Sequence, residues 1–184
     1  MLPIEDAQKY LHIVRKRGEA KATLNRVYTN MRKHKGLFLV AYANLYANKG
    51  ALTPGIDPQD TVDGMSMKKI DAIIDKLTRK AYRWSPVKRT YIAKRHATKQ
   101  RPLGMPGWTD KLLQEVIRLI LSAYYEPQFR DCSHGFRPQR GCHTALDTIK
   151  TWKGTRWLVE GDIKGCFDGI SHKIVYKLLS EKIK

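Results

Sequence analysis

An apolar run, Trp157-Leu158-Val159, delivers a single acid, Asp162, between two glycines, Gly161 and Gly165. Consecutive large apolar residues predict a buried strand over Arg156 to Ile163, and glycines beside an acid at its end let a large ligand approach the backbone. Phosphoryl transfer to a nucleic-acid end commonly uses two magnesium ions roughly 3.5–4 Å apart, held by carboxylates. Asp162 on a strand end suits that chemistry, and the carbonyl of Ile163 offers a further hard oxygen. The same spacing also serves an Asp that caps a turn, and Asp168, on the same turn, reads as a cap or brace. No second carboxylate in a matching setting lies upstream.

The charge balance narrows the partners. Thirty-five Lys and Arg oppose 17 Asp and Glu, a formal charge of +18 over 184 residues, concentrated at Arg15 to Lys21, Arg32 to Lys35 and Lys88 to Arg101. Such an excess repels itself unless a polyanion answers it. No segment approaches the roughly 18 consecutive apolar residues of a membrane span, which favours nucleic acid over an anionic membrane surface. Solubility alone explains it poorly, because solvating charge is usually mixed in sign. The first ten residues carry acids and lack the apolar stretch of a secretory signal, so the chain is expected to stay where it is made. Cys132, Cys142 and Cys166 are odd in number, which suits a reducing interior.

Helical spacing recurs through the basic first part. Ile4, Ala7, Leu11 and Val14 predict a helix over Ile4 to Arg17; Leu24, Val27, Tyr28 and Met31 predict another over Thr23 to Arg32, with Gly18 punctuating the two. A third is expected from Leu37 to Ala47, then a Gly- and Pro-rich loop to Pro58, then an amphipathic helix from Ser66 to about Lys80. The period then changes. Val87 to Ala93 and Arg101 to Met105 read as the strands of a hairpin with a basic face, joined by His96 to Gln100. Asp110 to Tyr125 is helical and ended by Pro127; further helices are expected from about His143 to Trp152 and from Ser171 or His172 onward.

Two more constellations carry chemistry. Lys94, Arg95, Lys99 and Arg101 surround the hairpin connector, where long cations can fold over a triphosphate and neutralise the leaving pyrophosphate. A solvated basic hairpin has the same composition. The loop Ser133 to Arg140 sets Phe136 between a glycine and two arginines, an arrangement that can lay the ring on a base while guanidinium groups meet phosphates. Equally, Phe136 can be core and Arg137 a structural ion-pair partner. Cys132, His134, Cys142 and His143 are zinc-binding types at a spacing poor for a tetrahedral site.

Taken together, several strings resemble the reverse transcriptases encoded by group II introns, which also act as splicing maturases. They are Asn48 to Ala51, Pro86 to Lys94, Arg101 to Pro106, Asp110-Lys111 with Gln114, Tyr125-Glu126-Pro127, Ser133 to Pro138 and Gly161 to Ile170, in the family's order. The resemblance implies an α+β fold: right-hand polymerase fingers with a partial palm, helices around a small antiparallel sheet. It implies a basic helical N-terminal extension over 1–60, fingers over 61–155 and the beginning of a palm over 156–184. By it, Asp162 is the first catalytic aspartate and, with Ile163, a Mg2+ ligand. Lys94, Arg101 and Phe167 look like nucleotide-contacting residues; Asn48, Lys49 and Gly50, with Arg95, Lys99, Phe136 and Arg137, look like nucleic-acid contacts. The implied partners are intron RNA as template, a DNA primer and deoxynucleoside triphosphates, with a homodimer of the full-length protein compatible. The implied location is the cytoplasm of a bacterium or an organelle of a eukaryote. The family's Tyr-x-Asp-Asp string does not occur in these residues, so the chain is expected to be a fragment holding half of the active site, inactive by itself. A non-catalytic basic RNA-binding splicing cofactor is the alternative.

Overall fold

A computed structural model describes residues 3–47, 53–93 and 100–184. In chain order these contain α1 (Pro3–Glu19), α2 (Val27–Lys33), α3 (Lys35–Tyr46), α4 (Met67–Thr78), β1 (Lys88–Ala93), β2 (Gln100–Met105), α5 (Trp108–Tyr125), a 3₁₀ turn (Glu126–Gln128), α6 (Cys142–Lys150), the single turn α7 (Cys166–Gly169) and α8 (His172–Lys182). The mixture is α+β, and its sheet is one antiparallel pair, β1 with β2. The chain divides into two compact units: residues 1–13 with 26–122, and residues 14–25 with 123–184.

The first unit takes its core from the helical stripes the sequence announces. Phe38 and Ala41 of α3, Ile70, Ile73 and Leu77 of α4, and Leu112, Leu113 and Val116 of α5 are all buried. The spacing places them on one face of each helix, which is what an amphipathic helix offers a neighbour. Val62 and Trp108 form a buried pair flanked by Tyr42 and Leu45. Gly36 is required where α3 begins, because a Cβ there would sit 1.7 Å from the carbonyl oxygen of Pro3. Helix α4 starts on Ser66, whose Oγ accepts the Lys69 N–H, and ends in a Schellman turn: Ala81 N–H donates to Lys76 O and Lys80 N–H to Leu77 O. Lys80 closes that turn at φ 56°, the conformation usually left to glycine.

One polar cluster inside this unit responds to pH. Glu115 is nearly buried on α5, accepting from Asn44 Nδ2 at 3.0 Å and from Arg118 Nε and Nη2 at 2.6 Å each. Burial pushes its carboxyl up, but the Arg118 and Asn44 hydrogen bonds outweigh it and hold the group below its ordinary 4.5. A carboxyl lowered by folding adds stability above its unfolded value, and loses it as pH falls through the folded one. Thermal unfolding should therefore show stability declining from about pH 4.5 downward. Glu115→Gln should flatten that acid limb and lower stability at neutral pH; an unchanged acid limb would remove Glu115 from the account.

The second unit is held differently. Tyr124 is buried and donates its hydroxyl to Ala22 O at 2.7 Å. Gly18 does not separate two helices, as its sequence position suggests. Helix α1 runs through it to Glu19, and a Cβ at Gly18 would meet Tyr124 O at 2.0 Å, so glycine serves a close backbone approach. The last residues fold back: Leu24 N–H donates to Lys182 O at 2.7 Å and Lys184 N–H to Leu24 O at 2.9 Å, a parallel bridge of Leu24 with Ile183.

Two sequence expectations are corrected. The strand expected over Arg156 to Ile163 is not formed; those residues are irregular, and Trp157, Leu158, Val159 and Ile163 are exposed. A strand needs a neighbour to complete its ladder, and no described strand pairs with this segment. The hairpin does form, but not with one basic face. The register Lys88↔Met105, Arg89↔Gly104, Thr90↔Leu103 and Ile92↔Arg101 sets Lys88 and Arg101 on one side and Arg89 on the other. Consecutive cations on a strand must point to opposite faces.

Candidate nucleic-acid and nucleotide site

The predicted residues divide between the two units. In the first, Arg101 stands on β2 opposite Ile92 and is exposed. Nearly every hairpin residue is exposed; Thr90 and Met105 alone are half-buried among those described. A two-stranded hairpin with both faces in water is marginal by itself. It holds because β2 runs into α5, whose first residue, Trp108, is buried. Lys94, Arg95 and Lys99, like Asn48, Lys49 and Gly50, lie outside the described residues.

What the structure does describe of the glycine- and proline-rich loop is its anchorage. Asp60 accepts from Thr109 N–H at 3.0 Å and from Thr109 Oγ1 at 2.9 Å, so its carboxylate caps the start of α5. Lys111 Nζ donates to Thr53 O at 3.1 Å, and Gly55 packs against Gly107 too closely for a Cβ, 2.8 Å. Asp110, the next acid, is buried and accepts from Tyr82 Oη at 2.6 Å and Ser85 N–H at 2.9 Å. Burial first, and the Asp110 carboxylate second, push the Tyr82 hydroxyl above its ordinary range, so it stays a neutral donor. Sequence reading passed over Asp60 and Asp110 as chemistry. Asp60 lies far upstream of α5 in sequence, so no local pattern marks it as that helix's cap.

In the second unit, Asp162, Ile163 and Phe167 share one exposed segment that ends in α7. The Asp162 carboxylate makes no hydrogen bond or ion pair with any described residue. Gly165 at φ 60° turns the chain into α7, placing Cys166 and Phe167 just after the acid. Carboxylate and carbonyl oxygens are the donors a hard divalent cation takes. Asp162 with the Ile163 carbonyl fits Mg2+ by donor type, and among the described residues no group of three acidic, His or Cys side chains surrounds it.

The Ser133 to Arg140 loop resolves its two readings by residue. Arg137 is 8% exposed in its side chain: Nε donates to Glu126 Oε1 at 2.9 Å, and Nη1 to Arg130 O at 2.9 Å and Ser133 O at 2.8 Å. Its guanidinium also stands 5.4 Å from the centre of the Phe129 ring. Arg140 clamps Asp131 in the same loop, and His134 Nδ1 shares a hydrogen bond with Thr144 Oγ1 of α6. Arg137 therefore braces the loop, with its donors turned inward. Phe136 is the reverse: fully exposed and held at φ 57°, a conformation costly for a bulky residue. For Arg137 this is the ion-pair alternative that the sequence left open, while Phe136 is not the core residue of that alternative.

Residues 92–182 match the family described as reverse transcriptase (RNA-dependent DNA polymerase). The chain belongs to the reverse transcriptase family. Within it, the chain stands among the group II intron-encoded proteins: it is 52% identical over 169 residues to the group II intron-encoded protein LtrA of Lactococcus lactis subsp. cremoris, covering 90% of this chain and 28% of that protein. It is 46% identical over 159 residues to an uncharacterized 91 kDa protein in the cob intron of Schizosaccharomyces pombe (86% and 20%), and 31% over 161 residues to a putative COX1/OXI3 intron 1 protein of Saccharomyces cerevisiae (87% and 19%). The chain thus spans between 19% and 28% of the length of these relatives.

Proposed function

We propose that this chain supplies the template- and nucleotide-gripping part of an RNA-directed DNA polymerase of a group II intron, with maturase-type binding of the intron RNA. The supporting observation is the ordered set of motifs inside a chain whose residues 92–182 match reverse transcriptases. In right-hand terms, residues 1–60 form the N-terminal extension, 61–155 the fingers and 156–184 the beginning of the palm. Asp162 and the Ile163 carbonyl hold Mg2+, which when bound supplies Lewis-acid polarisation of a phosphoryl oxygen. Lys94 and Arg101 neutralise the incoming triphosphate, and Phe167 packs against the sugar edge of the nucleotide. Asn48, Lys49, Gly50, Arg95 and Lys99 meet template or primer phosphates. Phe136 stacks on a base, and Arg137 contributes by fixing the loop that presents it. Intron RNA, a DNA primer and deoxynucleoside triphosphates are the partners; the full-length protein dimerises and works in a bacterial cytoplasm or an organelle.

The test is synthesis. Joined to, or mixed with, a segment that brings the Tyr-x-Asp-Asp carboxylates of a reverse transcriptase, the chain should extend a primer on an RNA template. No extension in either arrangement, with both parts folded, would sink the polymerase reading. A second reading, a non-catalytic RNA-binding splicing cofactor, is favoured by one observation: among the described residues no group of three or more His, Cys, Asp or Glu side chains could hold a metal ion. Both readings require phosphate contacts, so affinity for structured RNA should fall steeply, by roughly 10³ or more between 50 and 200 mM salt. A flat filter-binding series would count against both.

A further inference from the structure

We propose that a small aromatic pocket of the first unit, formed by Tyr28, Tyr82 and Trp84, receives one unpaired base of a bound RNA, a site separate from every residue assigned above. The inference rests on the nucleic-acid reading of the chain but not on its polymerase activity. The pocket encloses about 260 Å³, with Leu77 and Ile117 among its walls and Lys80 beside it. That is below the roughly 300–1,000 Å³ of pockets for larger ligands, so it suits a single ring system.

Its aromatic rings are set in advance. Tyr28 donates its hydroxyl to Leu77 O, Tyr82 donates to Asp110, and Tyr82 meets Trp84 edge to face at 5.4 Å between centroids. Both tyrosines thus have their polar ends satisfied while their rings line an open space. Trp84 is 53% exposed and Tyr28 43%, a cost in water that a stacked base removes.

The surroundings select a nucleotide over an apolar peptide. Arg32 lies 5.2 Å over the Tyr28 ring. Lys80 stands at the pocket in the left-handed conformation that glycine would fill without strain, so a cation is kept there against the backbone's preference. Tyr82 also lines an adjoining cleft of about 610 Å³ that contains Lys69, Lys76 and Arg83. Of the three acids lining that cleft, Asp60 and Asp110 are occupied by Thr109, Tyr82 and Ser85 and Asp57 accepts from the Gln59 N–H, whereas the three cations pair with no described carboxylate. A base in the pocket would leave its phosphates beside these cations.

The experiment compares two labelled RNA stems, one fully paired and one carrying a single bulged 2-aminopurine, by anisotropy and by 2-aminopurine fluorescence with the 184-residue chain. The bulged stem should bind roughly tenfold tighter, with its fluorescence quenched by stacking. Trp84→Ala should abolish both the preference and the quench while the paired stem binds as before; Trp84→Phe should retain most of each. Lys80→Gly, which relieves the backbone, should raise thermal stability and weaken the bulged stem alone, and it serves as the probe should Trp84→Ala fail to fold. Equal affinity for both stems in the unaltered chain, or equal weakening of both by Trp84→Phe or Lys80→Gly, would overturn the pocket while leaving nucleic-acid binding in place. Absence of binding to either stem would overturn the nucleic-acid reading as well.

Discussion

Replacing Asp162 by alanine is expected to abolish RNA-templated DNA synthesis by any assembly of this chain with the remaining catalytic carboxylates, while leaving folding and RNA affinity unchanged. Loss of a carboxylate that holds a catalytic magnesium removes several kcal/mol of transition-state stabilisation, a rate loss of about 10³-fold or more. The structural cost should be close to nil, because the side chain is exposed and bonds to no described residue. That contrast makes the experiment decisive. Asp162→Asn keeps the shape and removes the charge, so it should be nearly as inactive as the alanine variant. If either variant retained primer extension within about tenfold of the parent, Asp162 would not be a catalytic ligand. A parallel loss of thermal stability would return it to a structural role.

The second large effect falls on stability. Arg137→Ala should cost about 3 kcal/mol and open the loop from Phe129 to Gly141. Removing one partner of a largely buried ion pair leaves the other charge without compensation, the typical source of losses of this size. Glu126, 22% exposed in its side chain, would lose that partner, and the Arg130 and Ser133 carbonyls would lose their donor. Arg137→Lys should rescue little, since an ammonium cannot serve a carboxylate and two carbonyls with one planar fork. Hydrogen exchange across residues 126–141 and thermal unfolding measure the effect. Phe136→Gly is the companion: it relieves a left-handed backbone and an exposed ring, so it should keep or raise stability while reducing RNA affinity. If Arg137→Ala melted like the parent and its loop stayed protected, the guanidinium would be free to meet phosphate directly.

How far each element could be read in advance follows from what it depends on. Helices α3, α4 and α5 are legible because a helix satisfies its backbone internally, and its apolar stripe needs only some core to face. The hairpin is legible for a similar local reason: its two runs flank a short connector and supply each other's ladder. The distribution of its charge was not, because the face of Lys88 or Arg101 depends on register. The stretch Arg156 to Ile163 has the composition of a buried strand but no described neighbour to pair with, and composition cannot supply one. Gly18 illustrates the opposite error. As a residue it signals a break, yet its function is to let the Tyr124 backbone approach.

The candidate site was legible as chemistry and illegible as geometry. Residue types and order alone indicated a reverse transcriptase relative, and by that resemblance offered Asp162 as its acid, because charge excess and motif order are properties of the string. Tertiary structure alone decided that Asp162 bonds to no described residue, that Arg137 turns inward while Phe136 turns out, and that Tyr28, Tyr82 and Trp84 converge. Tyr28 is separated from the others by two helices and the loop between them. Whether a side chain bonds its neighbours or faces a ligand depends on packing, and distant segments meet only when the fold closes.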